Sequence, residues 1–538
     1  MTRITDNYDE LTNIGVKVPT GFDISKVKAA TEKDPIWIHF GGGNLFRCMQ
    51  AAQQQVLLEK GLSNKGIILA ETWDDGLIED IYDRYNNRTL DVILKGDGSF
   101  DLELIDSVVD AFYVNASEEK GVPGFTKLLD IFTKDSLQLA TFTVTEKGYN
   151  IKDLSGNFFP PVAQEIISGP QKPASLMGVI TAAMLARFKA GAAPIALLST
   201  DNFSHNGDKL KSSVVTIANE WKSAGFVEQD FLDYIDSDSV SFPFSMIDRI
   251  TPQPSPVISE KLQEIGFEDT EIVKTPKFTV SAAFVNTEVT NYLVVEDNFP
   301  NGRPKLEEAG VIFTTREKVD EVERMKVCTC LNPLHTGLAV LGCLLGFDKI
   351  SQEVKDPDLL KLIEKIGYTE GMPVVTDPVI VNPKQFIDEV INDRLPNPFI
   401  PDTPQRIATD TSQKLPIRFG VTVDLYNKNP KLSVDDLEAI PFVYAAWLRY
   451  LVGVDDGGNT FERSPDPMLV QLDPIIDGFM LGSTPKNELE KVKPLLKSKD
   501  IFGVDLVEVG LSNKVFDYFV ELMSGTGKVR EVLTKVVQ

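Results

Sequence analysis

The sequence predicts an α/β protein in which a doubly wound N-terminal domain precedes a mostly α-helical C-terminal domain. Three observations predict it. An apolar run, Ile36–Phe40, leads directly into Gly41-Gly42-Gly43-Asn44. Strand-like and helix-like patterns then alternate through roughly the first 290 residues. After the turn-rich stretch Asp297-Asn298-Phe299-Pro300-Asn301-Gly302-Arg303-Pro304, helical patterns dominate. A chain of 538 residues is too long for one ordinary core, so two domains are assigned, 1–300 and 301–538.

The elements follow in order. Ile36–Phe40 reads as a buried parallel strand, 45–60 as a helix and Gly66–Ala70 as a second strand, which makes a βαβ unit with a glycine-rich first turn. Leu137–Val144 and Ile195–Ser199 are further strands, with an amphipathic helix at Ser175–Lys189 between them. In the second half, helices are placed at 338–346, 357–366, 384–392, 434–452, 487–497 and 515–537.

Composition narrows the function. Hydrophobic residues make up 42% and charged residues 25%, ordinary values for a globular chain. A net charge of -25 disfavours nucleic acid and anionic membrane surfaces, which need a basic face. An anionic small substrate would need a local cluster of Lys and Arg. Four cysteines (48, 328, 330 and 343) are too few and too unevenly spaced for a disulfide framework, and the N-terminal residues carry no apolar signal core, so a soluble, cytoplasmic protein is expected.

The glycine turn suits a pyrophosphate, because Gly41 and Gly43 let the backbone approach closely and the following helix, opened by Asn44, offers unpaired N–H groups. Phe46 stands where a third glycine is usual, and Arg47 follows. The same turn could be purely structural. After the second strand, Glu71 and Asp74 could accept hydrogen bonds from an adenosine ribose and so favour NAD, or Asp74 could cap a helix.

Met325-Lys326-Val327-Cys328-Thr329-Cys330-Leu331-Asn332-Pro333-Leu334-His335 gathers an amine, a carboxamide and an imidazole. Those groups suffice for metal-free alcohol oxidation: a base, an alkoxide donor and a hydroxyl holder. Alone, the segment could equally hold a solvated lysine, a capping asparagine and a core histidine. Cys328-x-Cys330 with His335 and Cys343 is not a recognised zinc spacing, and no metal is expected. Ser524-Gly525-Thr526-Gly527-Lys528 lacks the first glycine of a phosphate loop and reads as a helix break. Three polar peptides, 143–149, 199–207 and 242–252, lie where a doubly wound fold places chemistry.

An ordered set of motifs spans nearly the whole chain: Phe40-Gly-x-Gly-x-x-x-Arg47, Thr143-Val-Thr-Glu-x-Gly-Tyr149, Asp201-Asn202, Met246-x-Asp-Arg-Ile-Thr-Pro252, Glu296-Asp-x-Phe-Pro-x-Gly-Arg-Pro304, and Arg406-Ile-Ala through Ser412-Gln-Lys-Leu-Pro416. In this the chain resembles the polyol-specific long-chain dehydrogenase/reductase (mannitol dehydrogenase) family. The resemblance implies a Rossmann-like domain that binds NAD through the Gly41 turn with Thr145 and Glu146, a helical substrate domain, and a cleft between them. It implies Lys326 as the base, Asn202 and Asn332 as alkoxide-stabilising amides, and Glu323 as a proton relay. It further implies that His335 and Asp248 contact substrate hydroxyls and that Arg406 and Lys414 bind the far end of an open-chain substrate.

The implied reaction is reversible hydride transfer between NAD(H) and a small sugar alcohol or sugar acid. Arg406 and Lys414 suit the carboxylate of a hexonate/ketouronate pair such as D-mannonate/D-fructuronate. D-mannitol/D-fructose, another pair such as tagaturonate, and a non-catalytic dinucleotide-binding protein are the alternatives. The sequence does not specify an oligomeric state. One departure stands out: five residues, 327–331, separate Lys326 from Asn332 where the family has four.

Overall fold

The computed structural model describes residues 1–153 and 155–538. The chain divides into two compact units, Met1–Leu94 with Ser99–Asp320, and Lys95–Gly98 with Glu321–Gln538.

The strands of the first unit are β1 (Trp37–Phe40), β2 (Ile67–Glu71), β3 (Thr89–Leu94), β4 (Phe100–Ile105), β5 (Val108–Tyr113), β6 (Leu139–Phe142), β7 (Ile195–Ser199), β8 (Val240–Ser241), β9 (Ser245–Asp248), β10 (Ile272–Lys274), β11 (Val280–Ala282), β12 (Phe284–Glu288), β13 (Tyr292–Glu296) and β14 (Ile312–Thr314). Six form one sheet in the order β5-β2-β1-β6-β7-β8, with all neighbours parallel. Ranked by position in the chain, that order is 3-2-1-4-5-6, the doubly wound dinucleotide-binding arrangement. The chain reverses its winding direction between β1 and β6, which makes a crevice beyond their carboxyl ends.

These strands read as continuous apolar runs because helices cover both faces of the sheet. Every residue of β1, β2, β6 and β7 is buried. Ile38, Phe40, Ile68, Phe142 and Leu197 share one hydrophobic core, each side chain contributing roughly 1.5–3 kcal/mol. Buried Arg187 secures the approach to β6 and β7 by donating to the carbonyls of Phe132, Lys134, Leu137, Ala193 and Pro194. The helix read over 45–60 is broken at Met49 into Asn44–Cys48 and Gln50–Glu59. Around the main sheet lie strands the sequence reading did not place: β3 with β4 and β12, β9 with β13 and β14, and the β10–β11 pair.

The second unit is helical. Helix Ala439–Tyr450 is buried along its whole length. Its N-terminal N–H groups are met by the Glu370 carboxylate, which accepts from Glu438, Ala439 and Ile440, satisfying orphan donors at the positive end of the helix. The helix expected over 515–537 is two, Ser512–Leu522 and Lys528–Val536, separated at the Ser524–Gly527 break. One helical run, Arg316–Leu345, is long and apolar enough to cross a membrane, but 83% of its most apolar window is buried inside the protein, as in a core helix.

Candidate active site

Beyond β1 the chain turns at Gly41, whose φ is +101°. A Cβ there would lie 2.3 Å from the Thr143 carbonyl oxygen, so only glycine fits. Gly43 has nothing within 4 Å of its Cβ position, which leaves its backbone open to a ligand, and Asn44 begins the next helix. Tyr82 Oη donates to the Gly42 carbonyl (2.8 Å), and Gly42 N–H donates to Glu71 Oε2 (2.8 Å). This turn fits a dinucleotide: one glycine is packed against the neighbouring strand and the other is clear.

The acidic residues after β2 have other partners than a ribose. Glu71 is buried; its Oε1 accepts from the N–H groups of Trp73 (2.8 Å) and Asp74 (3.1 Å) while Oε2 holds Gly42. Burial pushes its carboxyl up against those three bonds. Asp74 Oδ2 accepts from Thr275 Oγ1 (2.7 Å), and Asp74 makes no side-chain cap bond to the short helix that follows. Both acids therefore shape the turn.

Phe46 and Arg47 also have partners within the protein. Phe46 is fully buried and stacks on His39, with ring centroids 4.1 Å apart. Arg47 is buried and donates to Thr89 Oγ1, Ser281 Oγ and the Ala282 carbonyl, tying its helix to the neighbouring strands. Neither side chain is open to a cofactor. Thr145 and Glu146 are exposed just past β6.

Asn202 is exposed beyond β7, directly after a buried polar network. Tyr149 Oη donates to Asp201 Oδ2, as does Ser199 Oγ (3.1 Å). Burial pushes the Asp201 carboxyl up to about 7. Fully buried Asn206 donates to the Asp201 carbonyl (3.3 Å) and to Ser245 Oγ (3.0 Å), and its Oδ1 accepts from Ser245 N–H (3.1 Å). One amide thus ties the Asn202 turn to the start of β9, the strand that ends in buried Asp248. No sequence signal marked Asn206 as the tie, because its acceptors lie on separate strands.

In the second unit, Lys326 opens a π-helical turn, Lys326–Cys330, that follows helix Arg316–Met325, where Glu323 sits three residues earlier. Leu331 N–H donates to the Lys326 carbonyl at 3.1 Å, an i→i+5 bond. In a continuous α-helix an extra residue would swing Lys326 about 100° around the axis relative to Asn332. A π-turn absorbs one residue, so the insertion is taken up locally. Asn332 begins the next helix, Asn332–Leu345, with Pro333 in its first turn.

His335 Nε2 lies 3.2 Å from Asp402 Oδ2, and Arg406 pairs with the same carboxylate. Burial holds the imidazole below its usual range, against the pull of Asp402. The contact falls short of hydrogen-bond geometry, so the carboxylate faces the imidazole as a neighbouring charge. Lys414 Nζ donates to the carbonyls of Ile407 (2.9 Å) and Thr409. Burial, with Arg418 and Arg406 nearby, lowers it to about 8. Arg418 Nη1 donates to Thr336 Oγ1 (2.6 Å), beside His335 on the same helix. The sequence reading missed Asp402 and Arg418. Asp402 is 67 residues from His335, but the Lys414/Arg418 spacing of four was visible. All four cysteines are buried, with Cys330 and Cys343 raised to about 12. Among the described residues no group of three His, Cys, Asp or Glu side chains gathers to hold a metal.

A parallel sheet in this order, with a glycine turn at its switch point, defines a dinucleotide-binding protein, and the lysine, asparagine and histidine of the helical unit make it a candidate alcohol dehydrogenase. The Mannitol dehydrogenase Rossmann domain matches residues 35–308, and the Mannitol dehydrogenase C-terminal domain matches 318–523. The chain belongs to the mannitol dehydrogenase family. It is 50% identical over 526 residues to the D-mannonate oxidoreductase of Thermotoga maritima, covering 97% of this chain and 96% of that protein. It is 29% identical to the D-mannonate oxidoreductase of Escherichia coli over 87% of this chain and 89% of that one. Its fold is similar to that of a substrate-free D-sorbitol dehydrogenase, with a TM-score of 0.79 at 24% identity and 97% of both chains covered. It is also similar to Pseudomonas fluorescens mannitol 2-dehydrogenase in a complex with NAD and D-mannitol, with a TM-score of 0.70 at 24% identity, covering 100% of this chain and 99% of that one.

Proposed function

We propose that this chain is an NAD-dependent D-mannonate oxidoreductase, interconverting D-mannonate and D-fructuronate in the cytoplasm. The observation that carries the reading is the grouping of Arg406, Lys414 and Arg418 near His335, in a chain whose net charge is -25. Such a grouping of cations suits a carboxylate-bearing sugar, to which each can make a charge-assisted bond. The identity with the Thermotoga maritima enzyme supports it.

NAD, when bound, supplies the hydride acceptor. The Gly41–Gly43 turn, Asn44, Thr145 and Glu146 are the residues assigned to hold it. Lys326 takes the proton of the secondary hydroxyl and Glu323 passes it to solvent. The family resemblance gives the carboxamides of Asn332 and Asn202 the role of stabilising the alkoxide. The family resemblance gives His335, which stands against the Asp402 carboxylate, and Asp248 the role of contacting substrate hydroxyls. Arg406 and Lys414 bind the carboxylate.

The test is NADH oxidation followed at 340 nm with D-fructuronate, D-tagaturonate and D-fructose. The highest kcat/KM is expected with D-fructuronate. A higher value with D-fructose would replace the reading with mannitol 2-dehydrogenase, and no turnover with any sugar would favour a non-catalytic nucleotide-binding role.

A further inference from the structure

Arg418 belongs to the same group of cations, but no motif singled it out. It lies four residues after Lys414, where helix Thr411–Leu415 passes into the π-turn Pro416–Gly420. That spacing sets the two side chains on neighbouring positions of one helical face. Two fully buried arginines of this chain are well supplied with acceptors: Arg187 has five carbonyls, and Arg47 has two hydroxyls and two carbonyls. Arg418 has one hydrogen bond, to a neutral threonine hydroxyl, and no carboxylate partner among the described residues.

The surroundings make that arrangement costly. Burial lowers Arg418 to about 10, and Arg418 and Arg406 both push down Lys414 and His335. Asp402 is shared between His335 and Arg406, and Asp410 and Asp466 act on Lys414, which leaves Arg418 with no paired carboxylate among the described residues. A half-buried guanidinium whose one hydrogen bond goes to a neutral hydroxyl has donors left over for an anion. The fork of the guanidinium left over by Thr336 matches a carboxylate, to which it can donate two parallel N–H bonds.

We propose that Arg418 is a specificity-determining residue that binds the substrate carboxylate alongside Lys414, so that the pocket selects sugar acids over sugar alcohols. This rests on the oxidoreductase reading but does not require D-mannonate to be the acid. Thr336, which anchors the guanidinium, adjoins His335, so carboxylate capture at one end fixes the hydroxyls held at the other.

Calorimetric titration of the NADH-loaded protein with D-mannonate, D-gluconate and D-mannitol tests it, in wild type, Arg418→Met and Arg418→Lys, with Tm recorded for each. Methionine fills the same space without charge and should fold, since apolar replacement of a buried charge is commonly tolerated. The expected result is a loss of about 10- to 100-fold in hexonate affinity for Arg418→Met, a several-fold smaller change for D-mannitol, and partial recovery in Arg418→Lys. If D-gluconate shows the dependence and D-mannonate does not, the inference stands and the D-mannonate reading falls. Equal losses for acid and alcohol, an unchanged hexonate affinity, or no hexonate binding by wild type would each overturn it.

Discussion

Replacing Glu71 with glutamine separates two roles for the acid at the end of β2. As a ribose acceptor, it would distinguish NADH from NADPH. As the structure has it, the carboxylate is a keystone for the dinucleotide turn, holding Gly42 N–H at 2.8 Å from one oxygen and those of Trp73 and Asp74 at 2.8 and 3.1 Å from the other. Glutamine is isosteric but keeps a single carbonyl oxygen. If that oxygen stays with Trp73 and Asp74, its NH2 faces the Gly42 donor and one charge-assisted bond is lost, worth about 1.5–3 kcal/mol. Burial already strains the carboxylate by raising its pKa, so the lower part of that range applies. When binding must restore the turn, about 2 kcal/mol weakens affinity roughly 30-fold. Fluorescence titration with NADH and with NADPH should show the same factor for both coenzymes. A loss confined to NADH would refute the argument and restore the ribose role. No loss for either would mean that the packing of Gly41 against Thr143 holds the turn without help.

Three further outcomes follow from the site. Lys326→Ala should lower kcat by about 10²- to 10⁴-fold with NADH affinity kept, as for loss of a general base; near-normal turnover would mean the π-turn aims the lysine elsewhere. Asn206→Ala should cut kcat by about 10-fold or more, but little further in an Asn202→Ala background, because its effect passes through the Asn202 turn. Fully additive losses in that double-mutant cycle would refute the link. Lys414, lowered to about 8, is charged below that pH and neutral above it, so KM for an anionic sugar should climb between pH 7 and 9.5. Lys414→Arg should flatten the rise, and a flat wild-type profile would remove Lys414 from carboxylate binding.

The sequence by itself determined the outline of this protein. Period and length set the buried parallel strands and the long helices, because a strand covered on both faces must be apolar throughout and an amphipathic helix must repeat every 3.6 residues. Short motifs marked Gly41, Asn202, Lys326 and Asn332 because the restraints on a tight turn, or on groups within two helical turns, are local. Tertiary structure decided what is non-local. Glu71, Phe46 and Arg47 sit inside a cofactor motif, yet each is claimed by neighbours: Gly42 N–H, the His39 ring and the carbonyl of Ala282. Burial leaves a polar group little choice but to bond whatever adjoins it, and the sequence does not say what adjoins it. The inserted residue after Lys326 was visible as a count, but only backbone hydrogen bonding shows it taken up in a π-turn. Asp402 reached His335 across 67 residues by tertiary packing, and Arg418 became a candidate anion ligand only once its one hydrogen bond proved to go to a neutral hydroxyl.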